Sequence, residues 1–390
     1  MNILRIIGSV DPSHGGPIEG LRRSTEVLSQ TGHHTEVLSL DDPDASCLET
    51  FSFKVHALGS GITRYRYTQK INEWISDNAH RFDVAVVHGL WNHASVGGGR
   101  ALIKAGLPYV VFTHGMMDPW FKTAYPLKHA AKQVFWSLFQ GTVLNNAQKV
   151  LFTSEDEMIL SRNVFKPAIY SEAIVPYGAA EIDLKDHEGA RAAFRKVVPK
   201  LSNSPYLLFL SRIHPKKGCD ILIEAFGEFA LRNLDHHLVI AGPDQTGLVP
   251  SLKERARALG YLDRLHFPGM LQGDEKWGAY LEAEAFVLPS HQENFGIVVA
   301  EALGSGAPVL TTDKVNIWRE VRASGAGYIE PDTQEGITAL LTQWGSMTLD
   351  EKNEMGVCAR QCFEKHFPLE AAANGLLDAL REVSGGGNRG

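Results

Sequence analysis

The feature that most constrains this chain is a recurrence of short, unbroken apolar runs, each followed by a segment of helical pattern. Val84 to His88 (Val-Ala-Val-Val-His) and Tyr206 to Leu210 (Tyr-Leu-Leu-Phe-Leu) are two of them. A strand with one face in water alternates apolar and polar residues. A strand apolar throughout is buried on both faces, as in a parallel sheet covered by helices on each side. The first series comprises Asn2 to Ile7, Val37 to Leu40, Val84 to His88, Tyr109 to Thr113, Val150 to Thr153 and Ala173 to Pro176. Its first strand is interrupted by Arg5 and leads through a Gly/Pro-rich turn, Gly8 to Pro17, into a helix from Ile18 to Thr31. A second series starts at Tyr206 to Leu210. Strands at His237 to Ile240, Leu265 to Phe267, Ala285 to Leu288 and Val309 to Thr311 alternate with helices at Gly218 to Asn233, Ser251 to Leu259, Lys276 to Ala285 and Phe295 to Ser305. The pattern predicts an α/β protein of two doubly wound parallel-sheet domains. The polar stretch Glu181 to Ser204 reads as the linker between them.

Length agrees: 390 residues exceed one ordinary core. A net charge of −7 argues against a nucleic-acid partner held by electrostatics. The run Ile3 to Ile7 is too short for a signal-peptide core, and no stretch of about 18 uninterrupted apolar residues is present. The expectation is a cytoplasmic protein, with peripheral contact at the inner face of the membrane left open. Cys358 and Cys362 share a helix-like stretch, but no second ligand pair has zinc-like spacing, so all four cysteines read as reduced thiols.

In open parallel sheets, ligands bind beyond the C-terminal strand ends. Gly15-Gly16-Pro17 opens the first helix, where glycines admit a close ligand and the helix N-terminus favours an anion. A tight strand–helix turn explains the same residues almost as well. Ser211-Arg212-Ile213-His214-Pro215-Lys216-Lys217-Gly218 follows the strand Tyr206 to Leu210; Arg212 and Lys217 are suited to a diphosphate, and solvent-exposed loop cations explain them equally well. The most informative stretch is Pro289-Ser290-His291-Gln292-Glu293-Asn294-Phe295-Gly296, a helix carrying Glu301, then Gly304 to Pro308. Capping accounts for Glu293 tolerably. It does not account for Glu301, which sits among Val298, Val299, Ala300, Ala302 and Leu303 and needs a partner such as ligand hydroxyls.

On Arg212 with Lys217, and Glu293 and Glu301 around the Phe295-Gly296 turn, the chain resembles glycosyltransferase family 4. These are retaining enzymes with two Rossmann-like domains facing a central cleft (GT-B), here of the bacterial polysaccharide type. The resemblance implies that Arg212 and Lys217 hold the donor diphosphate, Glu301 the ribose hydroxyls, and Glu293 the transferred sugar. It also implies that the backbone of Asn294, Phe295, Gly296 and Ile297 contacts sugar and phosphate. Phe267 to Leu271, with Met270 and Leu271, resembles the wall beside the base, and Gly242-Pro243 ends the strand before it. Thr113-His114-Gly115 matches a strand-end histidine near sugar and acceptor; His88 ends a strand on that side too. The catalytic set implied is Glu293, His114, Arg212 and Lys217. Two departures stand out: Pro176-Tyr177-Gly178 replaces the frequent Pro-Asn-Gly, and Phe367 stands where Trp is frequent.

The implied domains are an acceptor-side unit (1–185), a nucleotide-sugar-binding unit (186–366) and a C-terminal helix with a Gly-rich tail returning to the first (367–390). The implied reaction transfers a sugar, with retention, from a nucleoside-diphosphate sugar to a glycan or lipid-linked glycan. No cofactor or metal is expected; Asp42-Pro43-Asp44 reads as an acidic surface loop. The alternatives are a GT-B-like nucleotide-sugar epimerase and a catalytically silent nucleotide-sugar-binding protein. Trp120 to Gln140 holds six aromatics and three lysines without an acid. That composition suits either a membrane-interfacial surface or an amphipathic helix packed on its domain.

Overall fold

The computed structural model describes residues 1–12, 16–59, 61, 63–179 and 186–385. The chain forms two compact units, Met1–Gly178 with the chain from Leu369 on, and Ala179–Pro368. The sequence reading placed these breaks at 185 and 366.

The first unit is built on seven parallel strands: β1 (Asn2–Ile7), β2 (His34–Ser39), β3 (Val55–Ala57), β4 (Val84–His88), β5 (Tyr109–Phe112), β6 (Lys149–Phe152) and β7 (Glu172–Ile174). Their spatial order is β3-β2-β1-β4-β5-β6-β7. The apolar runs are apolar because alternate residues enter different cores. Leu4, Ile6, Ala85, Val87, Tyr109 and Val111 face one cluster, with Ile71 and Leu102 from covering helices. Ile3, Val84, Val86, Val110 and Phe112 face another, closed by Leu376, Leu377 and Leu380 of the final helix, Leu369–Ser384.

The second unit has six parallel strands: β8 (Tyr206–Leu210), β9 (His237–Ala241), β10 (Leu265–Gly269), β11 (Ala285–Leu288), β12 (Val309–Thr312) and β13 (Gly327–Glu330), in the order β10-β9-β8-β11-β12-β13. Each sheet winds outward in both directions from a central pair, β1/β4 in one and β8/β11 in the other. These are the topological switch points, where adjoining loops diverge and leave a crevice.

One expectation is corrected. The polar stretch read as a linker contains a helix, His187–Val197, that belongs to the second unit. It is capped by Asp186, whose side chain accepts from Gly189 N, and it buries Ala190 and Phe194. Phe194 packs on Tyr206 with ring centroids 5.6 Å apart. A Cβ on Gly278 would lie 2.1 Å from the Ala190 carbonyl oxygen, so glycine there lets the helix Gly273–Glu282 approach. The call of a flexible tail falls mostly on residues 386–390, outside the described residues. No described helix is long and apolar enough to cross a membrane.

Candidate functional site

The loops after β8 and β11 meet at the switch point of the second unit. After β8 the chain makes a single 3-10 turn, Pro215–Lys217, started by His214, whose ring accepts from Lys216 N at 3.1 Å. Gly218 then adopts φ 65°, and a Cβ there would stand 2.1 Å from the Pro289 carbonyl oxygen of the neighbouring loop. Glycine thus permits the two loops to touch. His291 N donates to Lys216 O at 2.9 Å and locks them together. The consequence is that Lys217, 5% exposed, points its ammonium at the Glu293 carboxylate and forms an ion pair with it. Burial works against the charge of Glu293, but Lys217, with Lys216 and Arg212 behind it, holds its pKa below the ordinary carboxylate range. Arg212 is exposed and its guanidinium lies 3.5 Å from Gln245 Oε1.

Glu293 is fixed by backbone rather than by capping. Its N–H donates to Lys314 O at 2.9 Å, and its carbonyl accepts from Asn316 N at 3.2 Å. The helix Ile297–Gly304 starts from Gly296 at φ 73°, with Phe295 buried against Phe367 at 5.7 Å between ring centroids. Asn294 and Ile297 remain partly exposed at this helix start. Glu301 lies one face around, 8% exposed. Its partners are protein groups: Lys276 Nζ donates to Oε1 at 2.8 Å and the Tyr280 hydroxyl to Oε2 at 3.3 Å. The carboxylate expected to need a partner, such as ligand hydroxyls, thus has two within the protein. Lys276 and Tyr280 come from the helix Gly273–Glu282, which sequence spacing did not connect with residue 301.

Gly242 closes the other side of β8. Its φ of 141° and the 1.9 Å that would separate a Cβ from the Ser211 carbonyl oxygen exclude any larger residue. Ser211 N and Ile213 N donate to Ala241 O and Pro243 O, lacing the Arg212 loop to the end of β9. Beyond β10, Leu271 is buried, while Met270 is 59% exposed and presents an apolar surface. Lys217, Arg212, Met270 and the starts of two helices thus surround one strand-end region. Cations and helix N-termini suit a bound anion, and the apolar wall suits a planar base.

In the first unit, Gly15 lies outside the described residues. Gly16 begins the helix Gly16–Gln30, and a Cβ there would meet nothing within 4 Å, so nothing in the protein requires glycine. His114 follows β5 at φ 52°, with both ring nitrogens engaged: Nδ1 with the Tyr177 hydroxyl, and Nε2 with His88 Nδ1 at 3.1 Å. Burial pushes its pKa down to about 3, so the ring is neutral. His88, 4% exposed, is buried rather than lining a surface. Glu157 was missed by sequence reasoning. Buried, it accepts from Thr113 Oγ1, Gly115 N and both Thr153 N and Oγ1, all within 2.7 Å, and so fixes the loop that carries His114. The signal was Ser154-Glu155-Asp156-Glu157, a capping-box spacing in which Ser154 Oγ accepts from Glu157 N. Asp42 and Asp44 form a short turn, with Asp44 N donating to Asp42 Oδ1. Among the described residues, no three His, Cys, Asp or Glu are grouped to hold a metal ion.

Comparison with known proteins places both halves. Residues 190–361 match the family model "Glycosyl transferases group 1", and residues 15–178 match "Glycosyl transferase 4-like domain". A D-inositol 3-phosphate glycosyltransferase from Nocardia farcinica is 33% identical over 214 residues, which cover 53% of this chain and 46% of that protein. The match thus spans less than half of that relative's length. A phosphatidyl-myo-inositol mannosyltransferase from Mycolicibacterium smegmatis is 25% identical over 96% of this chain and 92% of its own. The crystal structure of Anabaena Alr3699/HepE with UDP and glucose has the same fold, with a TM-score of 0.77 at 18% identity over 98% of this chain and 100% of that one.

Proposed function

We propose that this chain, built from a glycosyl transferase 4-like half and a group 1 half on a GT-B fold, is a retaining hexosyltransferase. It moves a sugar from a nucleoside-diphosphate sugar to a glycan or lipid-linked glycan in cell-surface polysaccharide assembly. The observation that carries the reading is the Lys217–Glu293 pair at the β8/β11 switch point, with Arg212 on the same loop. The Anabaena structure, a complex with UDP and glucose, and the mannosyl transfer named in the Mycolicibacterium relative support a nucleotide-sugar donor.

On this reading the diphosphate lies over the two loops, where Arg212, Lys217 and the helix start at Gly296 meet its charge. As the glycosidic bond breaks, the departing diphosphate gains negative charge, and these fixed donors stabilise it where it develops. Glu301 grips the ribose beside Lys276 and Tyr280. Glu293, held by Lys217 and by its own backbone, orients the sugar, whose anomeric carbon becomes oxocarbenium-like. A thermal-shift screen against UDP-, GDP- and ADP-sugars tests the reading. One nucleotide family should stabilise the protein in proportion to ln(1 + [L]/Kd), and no response to any of them counts against it.

The leaving charge is met by protein cations, so transfer is expected to survive EDTA. Sugar transfer measured before and after chelation checks this, and a loss restored by Mn²⁺ or Mg²⁺ contradicts it.

The acceptor side bears on the membrane. The segment 120–140 folds as helices Trp120–Ala124 and Pro126–Phe135 and a wide turn Trp136–Gln140. Trp136 is fully buried, so the aromatics divide between core and surface. Leu127, Val134 and Leu138 are 86%, 60% and 59% exposed, and Lys128 stands over the Tyr125 ring at 4.9 Å. Exposed aliphatics beside lysines suit an anionic lipid surface. Co-sedimentation with anionic liposomes is expected at low salt, falling as salt rises and lost in Leu127→Asp/Leu138→Asp. No sedimentation of the unaltered protein at low salt rejects the contact.

A further inference from the structure

Arg5 occupies the middle of a strand whose other residues are core. Its guanidinium is fully buried, and only Nη1 is bonded, to two neutral acceptors, Leu21 O at 3.2 Å and Ser24 Oγ at 2.8 Å. Nε and Nη2 have no hydrogen-bond partner. Arg5 lines a cavity of about 20 Å³ together with Ser24, His88, Phe112, Tyr177 and Leu376, and none of the residues lining it is acidic. A buried arginine without a carboxylate is a costly group. The guanidinium keeps its proton, because even the burial that pulls its pKa down leaves it at about 10, and an uncompensated interior charge is strongly destabilising.

The second observation is the histidine string that ends on this cavity. The Tyr177 hydroxyl meets His114 Nδ1, His114 Nε2 meets His88 Nδ1 at 3.1 Å, and His88 Nε2, buried, has no partner. The two imidazoles are stacked, with ring centroids 5.3 Å apart and planes 9° from parallel. Burial keeps both neutral. A neutral tyrosine donates its hydroxyl proton. If Tyr177 donates to His114 Nδ1, the proton of His114 is on Nε2 and is donated to His88 Nδ1. The proton of His88 is then on Nε2. In that tautomer, donors of both Arg5 and His88 line the same small, acid-free cavity.

We propose that this cavity is a binding site for a monatomic anion of halide size, chloride in ordinary solution. One such ion supplies the missing negative charge for Arg5 and the missing acceptor for His88 Nε2–H. A cavity of this volume is of the order of one small ion or water molecule. By accepting from His88 Nε2, the ion also fixes the tautomer of the string that ends at His114. A lone water would satisfy the hydrogen bonds and leave the charge uncompensated.

The test uses the unaltered protein. Thermal unfolding is followed in chloride, bromide and gluconate at constant ionic strength and constant sodium. At a halide concentration tenfold above Kd, the folded state gains about elevenfold over the unfolded one, a shift of roughly 3–6 °C for a unit of this size. Arg5→Met is expected to lose the halide response. A crystal grown in bromide is expected to show an anomalous peak beside Arg5 and His88. Equal unfolding temperatures in halide and gluconate, no bromide peak at that place, or a halide response that persists in Arg5→Met would each overturn the proposal.

Discussion

Glu293→Gln is expected to lower kcat by about 10²–10³-fold, the effect of removing one preorganised electrostatic contact to a transition state, while nucleoside diphosphate affinity stays within roughly threefold. Glu293 sits on the switch-point loop, paired with Lys217, away from the helix face that carries Glu301. A group touching only the transferred sugar contributes where charge and geometry change during transfer. Glu301→Gln is expected to behave differently. Ribose is common to the donor and the free nucleoside diphosphate, so both should bind about 10- to 100-fold more weakly, the range for hydrogen bonds to a charged group. Calorimetric affinities and kcat for the two variants make the comparison. If Glu293→Gln loses nucleotide affinity and Glu301→Gln keeps it, the two roles are exchanged. If neither variant changes either quantity, both carboxylates are structural, a role for which Glu301 already has Lys276 and Tyr280.

The second large effect is at Lys217. On the proposed reading its loss removes a cation beside the diphosphate, and it leaves Glu293, a largely buried carboxylate, without its partner. Lys217→Ala should weaken nucleoside diphosphate binding at least as much as a charge-assisted hydrogen bond is worth, about 1.5–3 kcal/mol. Arg212→Ala should fall in the same range. Buried ion pairs are most damaging when one member remains, so Lys217→Ala/Glu293→Gln should recover part of the lost affinity. Titration of the same nucleoside diphosphate into all three variants checks this. A double variant weaker than Lys217→Ala would show that the two residues do not act as a pair, and unchanged affinity in both single variants would remove the diphosphate assignment.

What the sequence made legible follows from what each signal depends on. Strands buried on both faces, such as β4, β8 and β11, are apolar through their length and were found to within a residue. Val55–Ala57 was not, because an edge strand of three half-buried residues carries neither an apolar run nor alternation. The helix His187–Val197 was hidden for a different reason. Its buried face is narrow, Ala190 and Phe194, and the rest is charged, so composition resembled a linker while the contact that holds it, through Gly278, is distant in sequence. In the site, Arg212, Lys217 and Glu293 could be placed because each follows a strand. That Lys217 and Glu293 form an ion pair could not, since it depends on β8 and β11 being neighbours. Glu301 was recognised as a buried acid, but its partners were assigned to a ligand because residues 276 and 280 lie on a helix whose packing no local pattern encodes. The substitution at Tyr177, noted only as a departure from the family pattern, proves to shape the first unit. Its hydroxyl bonds His114, and Gly20 approaches its ring so closely that a Cβ would lie 3.3 Å from it.

The central claim is that the β8 and β11 loops bind the diphosphate of a nucleotide sugar and promote its departure as the nucleoside diphosphate while the sugar passes to an acceptor. The most direct measurement is release of nucleoside diphosphate from UDP-, GDP- and ADP-sugars, with product analysis, for the unaltered protein and for Glu293→Gln. The account predicts release from one nucleotide family, with the sugar recovered on an acceptor or as free sugar, and a fall of about 10²–10³-fold in the variant. No release from any nucleotide sugar, a donor returned only as its epimer, or equal rates for the two proteins would contradict it.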